Sequence, residues 1–86
     1  MKYLVEFWPK EPYAENLKKI YEIEAERMKK GEAFTGHMIY QILAEAHSIM
    51  IVDCDPHKIA KWCKDYVAVM GYKISPLIER TEMEKL

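Results

Sequence analysis

The sequence predicts a single α+β domain, spanning residues 1–86, with the element order strand, helix, strand, strand, helix, strand (βαββαβ). Three observations lead there. Runs rich in aromatic and β-branched residues, as strands are, recur along the chain. Two longer stretches between them carry apolar residues at helical spacing. Each of these stretches has proline at its start and glycine at its end. Right-handed crossovers fold such an order into a four-stranded antiparallel sheet with two helices on one face.

The first strand covers residues 2–8 and is stopped by Pro9 and Pro12. Pro12 suits the first position of a helix, where its missing N–H costs nothing. From Tyr13 to about Lys30 the apolar positions Tyr13, Leu17, Ile20, Tyr21, Ala25 and Met28 trace one helical stripe. Lys29 and Lys30 complement the negative end of the helix dipole, and Gly31 suits the residue just past the cap. Strands follow at about 36–43 and 47–54, joined by a turn over Ala44-Glu45-Ala46. Asp55-Pro56 reads as an N-cap followed by proline at the first helical position. Ile59, Trp62, Cys63, Tyr66, Val67 and Met70 then mark a helix ending at Gly71. The last strand is read over 72–80, with a charged tail behind it. Pro76 cannot donate a ladder hydrogen bond, so this strand belongs at an edge or a bulge.

Bulk composition narrows the function classes. A chain that is 50% hydrophobic and 31% charged has the balance of an ordinary globular domain, not a disordered one. The net charge of -1 gives no basic excess for a nucleic-acid backbone, so no nucleic-acid partner is expected. No apolar run reaches the length that crosses a bilayer, and the first residues lack a signal-peptide pattern, so the expectation is a cytoplasmic protein. Cys54 and Cys63 form neither a CxxC pair nor a disulfide framework and are read as free thiols.

Alternation divides each strand between two faces. With the hairpin turn centred on Glu45, one set is Tyr3, Val5, Phe7, Met38, Tyr40, Ile42, Met50, Val52, Ile74, Pro76 and Ile78. It carries no charge and is expected beneath the helices. The other set holds Glu6, His37, Gln41, His47, Asp53, Lys73, Ser75 and Glu79 among Leu4, Trp8, Ile39, Leu43, Ile49, Ile51 and Leu77. So many large apolar groups are not expected to face water, and a second copy of the same sheet is the simplest cover. The expectation is a homodimer.

At this point the chain resembles the dimeric α/β-barrel superfamily, built from ferredoxin-like protomers packed sheet to sheet, and within it a small family of uncharacterised bacterial and archaeal proteins. The resemblance spans nearly the whole chain. It is carried by Tyr3-Leu4-Val5-Glu6-Phe7-Trp8-Pro9, by Gly36-His37, by Ile51-Val52-Asp53-Cys54-Asp55-Pro56 and by Ile74-Ser75-Pro76-Leu77-Ile78. It implies a dimeric barrel with a cavity between the two sheets. It implies no particular activity, because that superfamily supports many.

The polar residues of the mixed face are the candidate site. Glu6 and His37 are the pair that could do acid–base work in a partly apolar cavity, with Trp8, Gln41 and His47 lining it as ligand-binding residues. The structural reading of the same residues is hydrogen bonding across a dimer interface. Cys54 and His57 make half a zinc pattern at best, and His37 and His47 sit far apart along the hairpin arms, so no metal is expected. There is no phosphate-cradling glycine loop and no nucleophile elbow, and no cofactor is implied. Two functions remain in competition: a binder of a small apolar or aromatic molecule between the sheets, with or without cofactor-independent acid–base catalysis, and a structural or regulatory homodimerisation domain.

Overall fold

The computed structural model describes residues 1–34 and 37–86. Strand β1 is Lys2–Pro9, helix α1 Tyr13–Lys29, β2 Met38–Ile42, β3 His47–Asp53, helix α2 Pro56–Tyr66 and β4 Met70–Leu77. A short helix, α3, Arg80–Met83, follows. The four strands form one antiparallel sheet in the order β2-β3-β1-β4. The proline-bearing β4 is at an edge, as its sequence requires.

One face of the sheet is sealed by helices. Tyr3 and Val5 of β1, Met50 and Val52 of β3 and Met70 of β4 meet Ile20 of α1 and Ile59, Trp62 and Tyr66 of α2 in one buried cluster. Trp62 is its centre, edge-on to both Phe7 and Tyr72 and tilted against Tyr66. Helix α2 starts as its sequence predicts: Asp55 caps it by accepting a hydrogen bond from the Lys58 N–H at 3.1 Å, and Pro56 occupies the first helical position. Helix α1 closes with Gly31 at φ +68°, the left-handed conformation for which glycine was expected there. Pro12 stands one position earlier than expected, as the residue capping α1.

Helix α1 departs from its predicted stripe. Its buried residues are Asn16, Ile20 and Arg27. The Asn16 amide donates to the Lys10 carbonyl at 3.0 Å and fixes the β1–α1 turn. Arg27, only 5% exposed, bonds the Asp65 carboxylate of α2 at 2.7 Å and the Glu32 carbonyl at 2.8 Å. Its guanidinium also lies over the Phe34 and Tyr66 rings. Burial opposes the Asp65 charge, but hydrogen bonds from Lys61 and Arg27 outweigh it and hold the carboxyl below its ordinary range.

Two boundaries differ from expectation. Helix α2 stops at Tyr66, not Gly71. Val69 donates to the Tyr66 carbonyl in a tight turn, and Met70 and Gly71 open β4 opposite Pro9 and Trp8. Gly71 is therefore a strand glycine: a Cβ there would overlap the Trp8 indole, which lies against it. The charged tail also winds into α3, and Gly36, read as the start of the second strand, lies outside the described residues.

The largest departure is the hairpin. Ile42 pairs with His47, so the connection is the four residues Leu43-Ala44-Glu45-Ala46, not three. The Glu45 N–H closes it on the Ile42 carbonyl at 3.2 Å. Moving the centre of the hairpin by half a residue turns every β2 side chain to the other face. Met38, Tyr40 and Ile42, expected in the core, lie on the open face with Ile51, Ile49 and His47. Ile39 and Gln41, and His37 by continuation of the alternation, lie on the helix side.

Candidate functional site

The five residues singled out from sequence divide between two places. Glu6, Trp8 and His47 come together on the open face. His37 and Gln41 border a cavity on the helix side. Glu6 and His37, the expected acid–base pair, are thus separated by the thickness of the sheet and do not meet. The reason is the hairpin register, because β1 has the alternation read from sequence and β2 has the opposite one.

The cavity has a volume of about 540 Å³ and lies between α1 and the β2–β3 half of the sheet. Its floor includes Phe7, Met50, Ser48 and Ile39, and its inner end is bounded by Trp62, Tyr66 and Met70. The other wall is the predicted apolar stripe of α1. Tyr13, Leu17, Tyr21 and Met28 do not enter the core; they line this groove. Tyr21 is 62% exposed, Met28 64% and Ile39 58%, so large apolar side chains flank an open space instead of filling it.

Few polar groups reach into the groove with bonding capacity to spare. Arg27 is held by Asp65 and Glu32. Gln41 is used by the hairpin, donating to the Glu45 carbonyl at 2.9 Å and accepting from the Ser48 hydroxyl at 2.8 Å. Burial pushes the Tyr66 hydroxyl up, so it stays neutral at physiological pH. His37 is different. Its ring stands edge-on to Phe34 at 6.0 Å, and its Nδ1 is buried with no hydrogen-bond partner among the described residues. A buried imidazole nitrogen without a partner loses the stabilisation water would give it, and a ligand hydroxyl or carboxylate would restore it.

On the open face, the Trp8 indole runs from Gly71 to His47 and stacks on the imidazole at 4.6 Å between centroids and 14° between planes. His47 Nδ1 is 3.1 Å from Glu6 Oε1 and 3.4 Å from Glu45 Oε2. Alternation along the strands put Glu6, Trp8 and His47 on one face, and they share it. Alternation missed Glu45, which stands in a turn and joins the other two only once the hairpin closes. The rest of this face is mixed: Leu4, Ile49 and Ile51 run across its middle, with Met38, Tyr40 and Ile42 at one edge, and Lys73, Ser75 and Leu77 at the other, Lys2 and Asp53 closing one end.

Among the described residues no helix is long and apolar enough to cross a membrane. No protein-family model and no curated protein matches the chain.

Proposed function

We propose that the chain is a ferredoxin-like protomer that binds a small, largely apolar or aromatic molecule in the groove between α1 and the β2–β3 half of its sheet. One observation carries this reading: a groove of about 540 Å³, walled by exposed apolar side chains, contains a single buried polar atom with no partner among the described residues, His37 Nδ1. Ligand sites are commonly concave and mostly apolar, with a small number of polar groups that set orientation. A flat aromatic molecule carrying one hydroxyl or carboxylate fits that description, its ring between Tyr21, Met28 and Ile39 and its oxygen on His37. The strand order β2-β3-β1-β4 supports the ferredoxin-like reading, and Trp62 and Tyr66 of α2 back the groove. Binding, not catalysis, is the function proposed, since Glu6 is on the other face and cannot act with His37 on one molecule.

The test is a thermal-shift screen of phenols and aromatic carboxylic acids, repeated on H37A and I39W. A ligand of the folded state raises Tm by mass action. The expected result is a shift in the parent chain that falls in H37A, where the anchor is gone, and disappears in I39W, where the groove is filled. Shifts unchanged in both variants would contradict the reading.

The open face supports a second reading, that two copies pair sheet to sheet as in a dimeric α/β barrel. Met38, Tyr40, Ile51 and Leu77 are exposed on this face with Leu4 and Ile49, interspersed with Lys2, Lys73 and Ser75. The sheet is only four strands wide, at about 4.8 Å per strand, so this surface is near the small end of stable interfaces. Light scattering should therefore give twice the chain mass for the parent and a single chain mass for I51K; a monomeric parent removes this reading and leaves the groove untouched.

A further inference from the structure

We propose that Glu6, Glu45 and His47 bind one first-row divalent cation of the zinc or nickel type. This site is on the opposite face from the groove and does not depend on it.

The argument begins with the donor atoms. One donor atom from each of Glu6, Glu45 and His47 lies within 4.8 Å of the other two. Bonds of about 2.0–2.2 Å from such a cation place neighbouring donors about 2.9–3.5 Å apart. The two separations from Nδ1, 3.1 and 3.4 Å, already fall in that range. The imidazole nitrogen thus has one carboxylate oxygen from each glutamate at a ligand-like separation. One imidazole and two carboxylates form a mixed nitrogen–oxygen set, which suits zinc or nickel better than the all-oxygen shells of calcium and magnesium.

Charge points the same way. Two carboxylates converge here, and among the described ion pairs neither has a lysine or arginine partner; His47 alone faces both. Lys73 is paired with Glu6 in the strand register, yet no ion pair joins them. With His47 neutral the site carries two negative charges that a divalent cation balances.

The supports around the donors are also in place. Trp8 stacks on the imidazole and fixes the plane in which Nδ1 points. Glu6 and His47 stand on neighbouring strands of the sheet. Glu45 is on the loop, but Gln41 holds that loop by bonding its Glu45 carbonyl, and Ser48 holds Gln41 in turn. Outer partners of this kind orient metal ligands. Glu45 is exposed and Glu6 and His47 are partly so, which gives water access to complete the shell. On binding, Nδ1 offers its lone pair to the ion and the single proton of the neutral imidazole stands on Nε2.

The experiment is calorimetric titration of the full chain with zinc, paired with nickel titration read by tryptophan fluorescence. Trp8 lies on the ligand His47 and should be quenched, whereas buried Trp62 reports little. The expected result is one saturable equivalent, weakened roughly tenfold or more in E6Q and in E45Q, which keep side-chain size. H57A and the double variant C54S/C63S should leave it unchanged, separating this site from the thiols and the other exposed imidazole. Melting curves show that each variant is folded before it is titrated. Affinity unchanged in E6Q and E45Q, loss of binding in C54S/C63S or H57A, or no saturable equivalent would each overturn the proposal.

Discussion

The two ends of the helix-covered face use similar side chains for opposite ends. Over β1 and the α2 side, Val5, Val52, Trp62 and Tyr66 interlock until almost nothing is exposed. Over β2 and the α1 side, Tyr21, Met28 and Ile39 are as large and apolar, yet they stand open around a groove. The difference is in how the helices are held. The aromatic cluster of Trp62 draws α2 onto the sheet. Helix α1 is tied down along one line, by Asn16, Ile20 and Arg27, and that line faces α2 and β1, leaving its apolar stripe beside β2 without a neighbour to fill the space. An apolar stripe therefore reports what a helix can bury, not what it does bury.

This contrast can be broken at its strongest point. Trp62→Ala removes the ring on which the sealed end depends and is expected to cost about 4 kcal/mol in urea unfolding, a large share of the stability of so small a domain. A loss below about 1 kcal/mol would mean that the sealed end is not packed as described.

Next in size is the tie between the helices. Asp65→Asn removes the nearer of the two carboxylates paired with the buried Arg27 guanidinium, leaving Glu32 at 3.8 Å, and is expected to cost about 2 kcal/mol at neutral pH. The sign of its pH dependence follows from the lowered carboxyl. Because Asp65 ionises more readily folded than unfolded, its contribution is present above the unfolded-state value of about 4 and is lost as pH falls through the lower folded-state value. The parent should thus lose stability on acidification faster than D65N, and parallel acid-unfolding curves would show that the ion pair does not contribute.

Gly71→Ala probes the other face. The added methyl must displace the Trp8 indole, an overpacking expected to cost about 1–2 kcal/mol and to change tryptophan fluorescence as the stack on His47 opens. The smallest effect belongs to the groove wall. Met28→Ser and Tyr21→Ser should change stability by no more than about 0.5 kcal/mol, as exposed sites do. A cost comparable to Trp62→Ala would show that α1 closes on β2 and that no groove exists.

How far the sequence carried depends on the kind of signal each element holds. The caps were legible because Asp55-Pro56 and Gly31 act through their own backbone geometry. The two faces of β1 were legible because Tyr3, Val5 and Phe7 alternate strictly with charged or mixed neighbours. The hairpin register was not. It turns on whether three or four residues make the turn, and Leu43, Ala44 and Ala46 favour neither; the choice is made by hydrogen bonds from Glu45 and Gln41 that exist only in the folded hairpin. The α1 interface was illegible for a related reason. Its buried residues include Asn16 and Arg27, polar groups that enter the core only because Lys10, Asp65 and Glu32 satisfy them there. Of the candidate site, Glu6, Trp8 and His47 were found together because β1 and β3 were read in the right register, while His37 and Gln41 moved with β2.

The central claim, that the groove beside α1 is the binding site, is tested most directly by mapping amide chemical shifts while the chain is titrated with an aromatic carboxylic acid found in the thermal screen. The account predicts perturbations clustered at Tyr21, Met28, Phe34, His37 and Ile39, with Leu4, Trp8 and Ile51 on the open face undisturbed. Shifts concentrated on Leu4, Trp8 and Ile51 would place the ligand on the wrong side of the sheet and contradict it.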